Sequence, residues 1–190
     1  MGITVTKVSH AGLGNTAMIK PDDKLDLIKS QYRTLKKINV PYDQRKLEMQ
    51  EYHIDLPNDF DMPQVSNINK LYAETQAYLT RMSAIESEAI SNSTNWRRLL
   101  LLMKEYLADK ESEIYVTQEI VELPNAKIRE SAVRNKLRRI YETMNHFQDK
   151  YLEAEAFYKV VEIKKKDLQS IITNLNRQIR ALETERPGAY

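Results

Sequence analysis

The fold of this chain is decided by residues 135–182, NKLRRIYETMNHFQDKYLEAEAFYKVVEIKKKDLQSIITNLNRQIRAL. In this stretch, apolar side chains recur at alternating spacings of three and four, the heptad pattern of an α-helix that packs along one seam. The seam is apolar at every step except Lys165, and neither Gly nor Pro interrupts it. Its members are Leu137, Ile140, Met144, Phe147, Tyr151, Ala154, Tyr158, Val161, Lys165, Leu168, Ile172, Leu175, Ile179 and Leu182. A seam this long requires a partner helix of similar length.

The partner helix is predicted earlier in the chain, after a polar cap at Ser66 or Asn67. The three-four spacing of apolar residues runs through Asn92 and on to Tyr106. Asn92 lies in the polar run 91–95, whose side chains compete with the backbone for hydrogen bonds. The helix either continues there, with Asn92 as a buried polar residue that fixes the register, or breaks and restarts with a new cap. Continuity is favoured because the heptad phase is unchanged across the run.

A short connection separates the two long helices. Pro124 followed by Asn125 is a stop and restart signal, and Asn125 is the predicted cap of a terminal helix from about Ala126 to about Glu185. Helices joined by a short connection fold back on each other most simply as an antiparallel hairpin. The fold class predicted for residues 66–190 is therefore all-α, an elongated antiparallel helical hairpin or coiled coil.

Residues 1–65 are predicted to be an extended N-terminal arm with one short helix and a proline-rich irregular segment. The short helix opens at Pro21 and ends before Pro41, because the residue before a proline is disfavoured in the α region. Residues 1–20 are either a disordered tail or an arm that orders against a neighbouring subunit. Apolar positions beside the two seams predict that the N-terminal helix, or other copies of the chain, cover the second face of the hairpin.

The composition excludes several classes of protein. The chain has 190 residues, a formal net charge of +2 and no cysteine, so it contains no disulfide. Its longest purely apolar run, Leu99–Met103, is far too short to span a membrane, and the N-terminus lacks a signal-peptide pattern. The expected location is the cytoplasm, which is the host cytoplasm if the protein is viral, or the virion.

No catalytic or metal-binding motif is present in the sequence. His10, His53 and His146 are isolated, and none has a second histidine three or four residues away. The zinc-protease, phosphate-loop and nucleophile-elbow patterns are also absent. The sequence therefore predicts a protein that is not an enzyme, with no catalytic residue, metal site or cofactor.

The strongest local charge signal is segment 127–139, KIRESAVRNKLRR, with six basic residues and one acidic residue. Cations in the first turn of a helix oppose its dipole, and this cost suggests a function such as phosphate contact. The alternative is a solvated helix face whose cations pair with Glu113, Glu119 or Glu122 across the turn. The candidate nucleic-acid-binding residues are Lys127, Arg129, Arg134, Lys136, Arg138 and Arg139.

Tyrosine is plentiful, with 11 among 190 residues, and several tyrosines lie at or beside seam positions. Tyrosine is common at partly wet interfaces, so this placement fits contacts between subunits better than a closed globular core. A homo-oligomer is therefore expected. The candidate interface residues lie on the terminal seam and are Tyr151, Tyr158, Leu168, Ile172, Leu175 and Ile179.

The layout from Asn67 to Glu185 resembles that of the small helical recombination mediators of tailed phages, the UvsY type. The shared features are a first helix rich in Tyr and Leu, a polar interruption, a basic and polar restart at 127–139, and a long closing helix. The resemblance implies a ring oligomer that binds single-stranded DNA and helps to load a recombinase. Residues 1–65 have no counterpart in that family.

These observations predict a non-enzymatic, oligomeric assembly protein of the phage type, with two hypotheses for its role. The first is a recombination mediator that associates with single-stranded DNA through the basic segment. The alternative is a structural or scaffold protein of a virion or other large assembly, which docks on its neighbours through the N-terminal arm. A protein partner bound through an exposed apolar stripe is a third possibility, and no membrane partner is expected.

Overall fold

The computed structural model describes residues 21–38, 40–54 and 65–184. These residues form helices, and no strand occurs among them. In chain order the helices are α1 (Pro21–Lys37), α2 (Tyr42–Glu51), α3 (Val65–Tyr115), α4 (Gln118–Val121), α5 (Ala126–Lys136) and α6 (Arg138–Thr184). The predicted all-α class is confirmed, whereas the prediction of an arm at residues 1–20 lies outside the described residues.

Helices α3 and α6 pack together as the predicted hairpin and form the body of the molecule. They contain 51 and 47 residues, so at 1.5 Å per residue they are roughly 75 and 70 Å long. Along the α6 seam, every second member from Phe147 to Leu175 is buried and those between are half-buried. At the polar step of the seam, Lys165 forms an ion pair with Glu86 of α3. The predicted seam is therefore the surface that α6 buries against α3.

Helix α3 passes through the polar run 91–95 without a break, which confirms the favoured continuity. Asn92 is only 5% exposed, and its Nδ2 donates a hydrogen bond to the hydroxyl oxygen of Tyr42. A buried polar group without a partner costs about 1–3 kcal/mol, so this bond explains how the helix accommodates Asn92. The helix begins at Val65, which places Ser66 and Asn67 in its first turn rather than at the cap.

The terminal helix differs from the prediction because it is divided at Leu137 into α5 and α6. Leu137 has φ −97° and ψ 10°, outside the helical region, although its N–H still bonds the Val133 carbonyl at 3.0 Å. Its side chain is buried with Leu107, Ile120 and Val133 in a small apolar cluster at the tip of the hairpin. This cluster holds α5 against α3 and α4, and the local departure from helical geometry accompanies that packing.

The segment from α1 to α2 lies along one groove of the hairpin and runs antiparallel to α3. Ion pairs mark the direction: Lys24 pairs with Asp109 at 2.6 Å, and Arg45 with Glu88 at 3.1 Å. Helix α1 buries an apolar stripe in the groove, where the Tyr32 ring lies 5.2 Å from that of Phe147. The prediction that the N-terminal helix covers a second face of the hairpin is confirmed.

The helices are amphipathic or charged rather than uniformly apolar. Among the described residues, no helix is both long enough and apolar enough to cross a bilayer. The longest helix, α3, carries charged side chains throughout its length.

Candidate interaction surfaces

The basic segment lies at the tip of the hairpin, where α4 and α5 fold over the ends of α3 and α6. The predicted cap is confirmed, since Asn125 Oδ1 accepts a hydrogen bond from the Ile128 N–H at 2.9 Å. Ile120 and Val133 are buried on the inner sides of α4 and α5. The six candidate cations therefore sit on a fixed, folded surface.

Two of the six candidate cations are engaged in ion pairs. Lys136 pairs with Glu119 across the turn, as the alternative interpretation of the segment predicts. Arg138 Nε donates to Glu142 Oε1 at 2.9 Å, one helical turn further along α6. Both pairs are substantially exposed, so they add little to stability but reduce the net positive charge that a phosphate would meet.

Two further cations contact neutral groups at the tip. Arg129 Nε donates to the carbonyl oxygen of Leu123 at 2.9 Å, which ties α5 back to the turn. The Arg134 guanidinium lies 5.4 Å from the centroid of the Tyr141 ring. The Tyr141 hydroxyl donates to the Glu111 carboxylate, and this hydrogen bond, with burial as the second cause, raises the pKa of Tyr141 to about 12. The ring therefore stays neutral and available to the Arg134 cation.

The last two candidates, Lys127 and Arg139, are exposed and form no ion pair with any residue that the structure describes. The tip as a whole is nevertheless balanced in charge. Residues 111–142 include the six candidate cations and an equal number of acidic side chains, which are Glu111, Glu113, Glu119, Glu122, Glu130 and Glu142. The open positive charge at the tip is therefore smaller than the segment 127–139 suggests by itself.

The predicted oligomer-interface residues all lie on the seam of α6. Leu168 and Leu175 are 1% and 0% exposed within the single chain, so they have no surface to offer a second copy while the hairpin is closed. For these two residues the prediction is corrected, because the partner helix that their spacing requires is α3 of the same chain. Tyr151, Tyr158, Ile172 and Ile179 are half-buried, and a subunit contact through them stays a prediction.

A polar network that the sequence did not reveal holds α2 against α3. Glu48 accepts hydrogen bonds from Arg81 at 2.6 Å, from Tyr52 at 2.6 Å and from Arg45 at 2.8 Å. These bonds, that of Arg81 first, hold the pKa of Glu48 at about 2, below its ordinary value of 4.5. Burial, followed by the bond to Glu48, raises the pKa of Tyr52 to about 12. The network is therefore fully charged on its acidic and basic members at neutral pH.

The sequence carried only part of the signal for this network. The spacing of Arg45 and Glu48 is three residues, which suits an ion pair on one helix. The other partners, Glu88 and Arg81, lie on α3, more than thirty residues away along the chain. Helix α2 has no clear apolar stripe, so periodicity could not show which of its faces meets α3.

The outer face of α6, opposite the seam, exposes several large apolar side chains. Leu152 is 50% exposed, Val160 is 44% exposed and Ile163 is 60% exposed. Beside them, an open cleft of about 510 Å³ between α2 and α6 is lined by Val160 and Phe157 among others. Apolar side chains close together on one helix face differ from the scattered exposed residues that any protein surface has.

The acidic residues and histidines of the described part of the chain are dispersed. Within residues 21–38, 40–54 and 65–184, no three His, Asp or Glu side chains are grouped as ligands of one metal ion. His146 contacts the edge of the Tyr32 ring, with the ring centroids 6.3 Å apart.

No protein-family model matches the chain, and no curated protein or solved structure matches it.

Proposed function

We propose that this chain is a non-enzymatic assembly protein, a stiff helical rod that associates with further copies of itself as a component of a larger structure such as a virion. The observation that carries the proposal is the group of exposed apolar residues on α6, at Leu152, Val160 and Ile163. The two inner faces of the hairpin are already filled, by the seam and by α1 with α2. Any further apolar contact therefore uses the outside of the rod.

The arm-docking hypothesis now concerns a shorter segment. Helices α1 and α2 pack on their own hairpin, so they do not reach out to a neighbour in this conformation. Docking through the arm is therefore proposed for residues 1–20. Deleting residues 1–20 is expected to change the assembly state while circular dichroism shows the helix content of the remaining chain unchanged.

The test of the assembly function is the molar mass of the full chain in solution. Light scattering is measured over a hundredfold range of protein concentration, at low and moderate salt, because apolar association persists at moderate salt whereas exposed ion pairs weaken. A mass above 22.3 kDa that rises with concentration to a defined multiple supports the proposal. A mass that stays at one chain throughout would reject it.

A second candidate function, association with single-stranded DNA as in recombination mediators, has one specific observation in its favour. Lys127 and Arg139 are exposed without ion-pair partners in the described structure, and Arg134 contacts a neutral ring rather than a carboxylate. Three open cations predict a slope of about −2 for the logarithm of affinity against the logarithm of salt concentration.

The DNA hypothesis is tested by fluorescence anisotropy with a labelled single-stranded oligonucleotide. The variant Arg134→Ala with Arg139→Ala is expected to weaken binding at low salt. The matched control is Arg177→Ala with Arg180→Ala, which removes the same charge from exposed positions far along α6. Equal losses in the two variants would indicate a general charge effect, and the tip would then have no special role.

A further inference from the structure

The outer face of α6 carries an apolar patch that no other described element covers. The patch consists of Leu152, Ala156, Val160 and Ile163, all of which are exposed. Their spacings of four, four and three residues place them on one side of the helix, over a length of about 16 Å at 1.5 Å per residue. This side, named here the α6 outer patch, is opposite the seam that packs against α3.

We propose that the α6 outer patch binds the same patch of a second copy of the chain, with the two α6 helices antiparallel. The inference rests on the proposed assembly function and names the surface through which two copies first associate. A twofold contact of this kind is self-complementary. If residue i of the first copy contacts residue j of the second, then residue j of the first copy also contacts residue i of the second.

The order of apolar residues supports this arrangement. In an antiparallel pair whose twofold axis passes between Phe157 and Tyr158, Leu152 of one copy lies opposite Ile163 of the other. The same axis places Ala156 near the centre of the contact, where a small side chain allows two helices to approach closely. The two largest apolar residues of the patch therefore bury each other twice in one dimer.

The charges at the ends of the patch favour the antiparallel direction. Asp149 lies three residues before Leu152 and Lys166 lies three residues after Ile163, and both are exposed. Antiparallel pairing places Asp149 of each copy beside Lys166 of the other, whereas parallel pairing places like charges together. Lys166 bonds Glu162 at 2.8 Å, and its ammonium group has further donors for a second carboxylate. Exposed pairs of this kind select orientation more than they add affinity.

The surroundings of the patch also suit a second copy of the chain. On one side the patch adjoins the cleft of about 510 Å³, whose lining includes Pro41 and Phe157 and offers a concave surface to side chains of the second copy. The outward side of α3 is different over residues 80–94, where Ile90 is the one exposed large apolar side chain and small polar side chains predominate, including Thr80, Ser83, Ser87, Ser91 and Thr94. Isolated exposed apolar residues such as Ile90 offer less contact area than the four grouped residues of the α6 outer patch.

Introduced cysteines test the contact directly, because the chain has no cysteine of its own. The full-length variants Leu152→Cys and Ile163→Cys are prepared separately, mixed under mild oxidation and separated by mass. We expect disulfide-linked pairs of the two different variants to form several times faster than pairs of either variant with itself. The control is Ser87→Cys on the outward side of α3, which is expected to link slowly and without preference. Preferred linkage of Leu152→Cys with itself would mean a parallel contact and would overturn the proposal.

A charge placed in the patch tests its contribution to affinity. Ile163→Asp buries a carboxylate in the proposed contact, so we expect the dimer dissociation constant from sedimentation equilibrium to rise at least about tenfold. Thr94→Asp is the matched control and is expected to leave that constant unchanged; circular dichroism checks the folding of both variants. If the chain self-associates but Ile163→Asp leaves the dissociation constant unchanged, the contact through the α6 outer patch is rejected and the proposed assembly function stands. If the unaltered chain is a monomer at every concentration, both the proposed contact and the proposed assembly function are rejected.

Discussion

At the scale of single residues, paired polar groups fix how the N-terminal segment meets the hairpin. Asn92 occupies a heptad position where periodicity alone predicts an apolar side chain, and the Glu48 network joins α2 to α3. Such groups contribute little net energy when they are paired, but they are costly when one partner is removed. Their removal is therefore a sensitive test of the packing described above.

The hydrogen bond between Tyr42 and Asn92 is tested by Tyr42→Phe. The substitution removes the acceptor of a buried amide and leaves the ring in place, so we expect the free energy of unfolding to fall by about 1–2 kcal/mol in urea denaturation. The control is Tyr115→Phe, because Tyr115 is 40% exposed at the end of α3. Equal stability of the two variants would mean that the bond to Tyr42 does not compensate the burial of Asn92.

The Glu48 network predicts a dependence of α2 on pH. The pKa of Glu48 is about 2 in the folded chain against an ordinary value of 4.5, so its stabilising contribution is complete above pH 4.5 and is lost as the pH falls towards 2. Hydrogen exchange in residues 42–51 is therefore expected to accelerate on acidification through this range, beyond its intrinsic pH dependence.

The variant Glu48→Gln identifies the group responsible for that effect. It is expected to speed exchange in residues 42–51 already at pH 7 and to flatten the acid dependence. Glu51→Gln, on the same helix but exposed, is the control and is expected to behave as the unaltered chain. An acid response that Glu48→Gln leaves intact would assign it to another carboxylate.

At the scale of elements, the two faces of α6 are predicted to differ strongly in their tolerance to the same substitution. Leu168 is 1% exposed on the seam, and Leu152 is 50% exposed on the outer face. Leu168→Ala is expected to lower the free energy of unfolding by about 2–5 kcal/mol, because it removes transfer energy and leaves a cavity. Leu152→Ala is expected to cost under about 1 kcal/mol at a protein concentration where the chain is monomeric. Similar losses at the two positions would contradict the assigned seam.

The sequence predicted the long elements well because their signal is repeated many times. The α6 seam spans six heptads, and every member within the helix is buried or half-buried in the structure. The division at Leu137 gave no such signal, since no Gly or Pro marks it and the tertiary cluster with Leu107 and Ile120 that accompanies it forms only on folding. The partner of Lys165 was hidden for a similar reason, because Glu86 becomes its neighbour only when the hairpin closes.

The candidate site was predicted less well than the fold. The basic segment is at the tip as expected, but its charge was counted along the chain, and most of the acidic residues that balance it lie outside the segment, on α3, at α4 and the residue after it, and on α6. The subunit contact was assigned to seam residues although the hairpin already pairs that seam with α3, and a heptad pattern does not show how much of each side chain remains exposed. The α6 outer patch has only four members, which are too few to stand out as a period.

At the scale of the whole molecule, the hairpin predicts an elongated particle. A compact chain of 190 residues has a radius of gyration of roughly 16 Å. A rod of the length of α3 has a radius of gyration of about 22 Å even before its width is counted. Small-angle X-ray scattering is therefore expected to give a value above about 22 Å for the monomer at low concentration. A value near that of a compact chain would show that α3 and α6 bend back on themselves in solution.

The hairpin topology also has a consequence for the order in which the chain folds. Contacts near the tip join residues close in sequence, such as Glu111 and Tyr141 at a separation of 30, whereas Glu86 and Lys165 are 79 residues apart. Closing a loop costs entropy that grows with its length, so the turn around α4 is the least expensive place to nucleate. Once one turn of α3 has packed on α6, the next turns of the two helices are already close together. Pairing therefore proceeds from the tip towards the open ends. The open ends of α3 and α6 therefore form last and fray first.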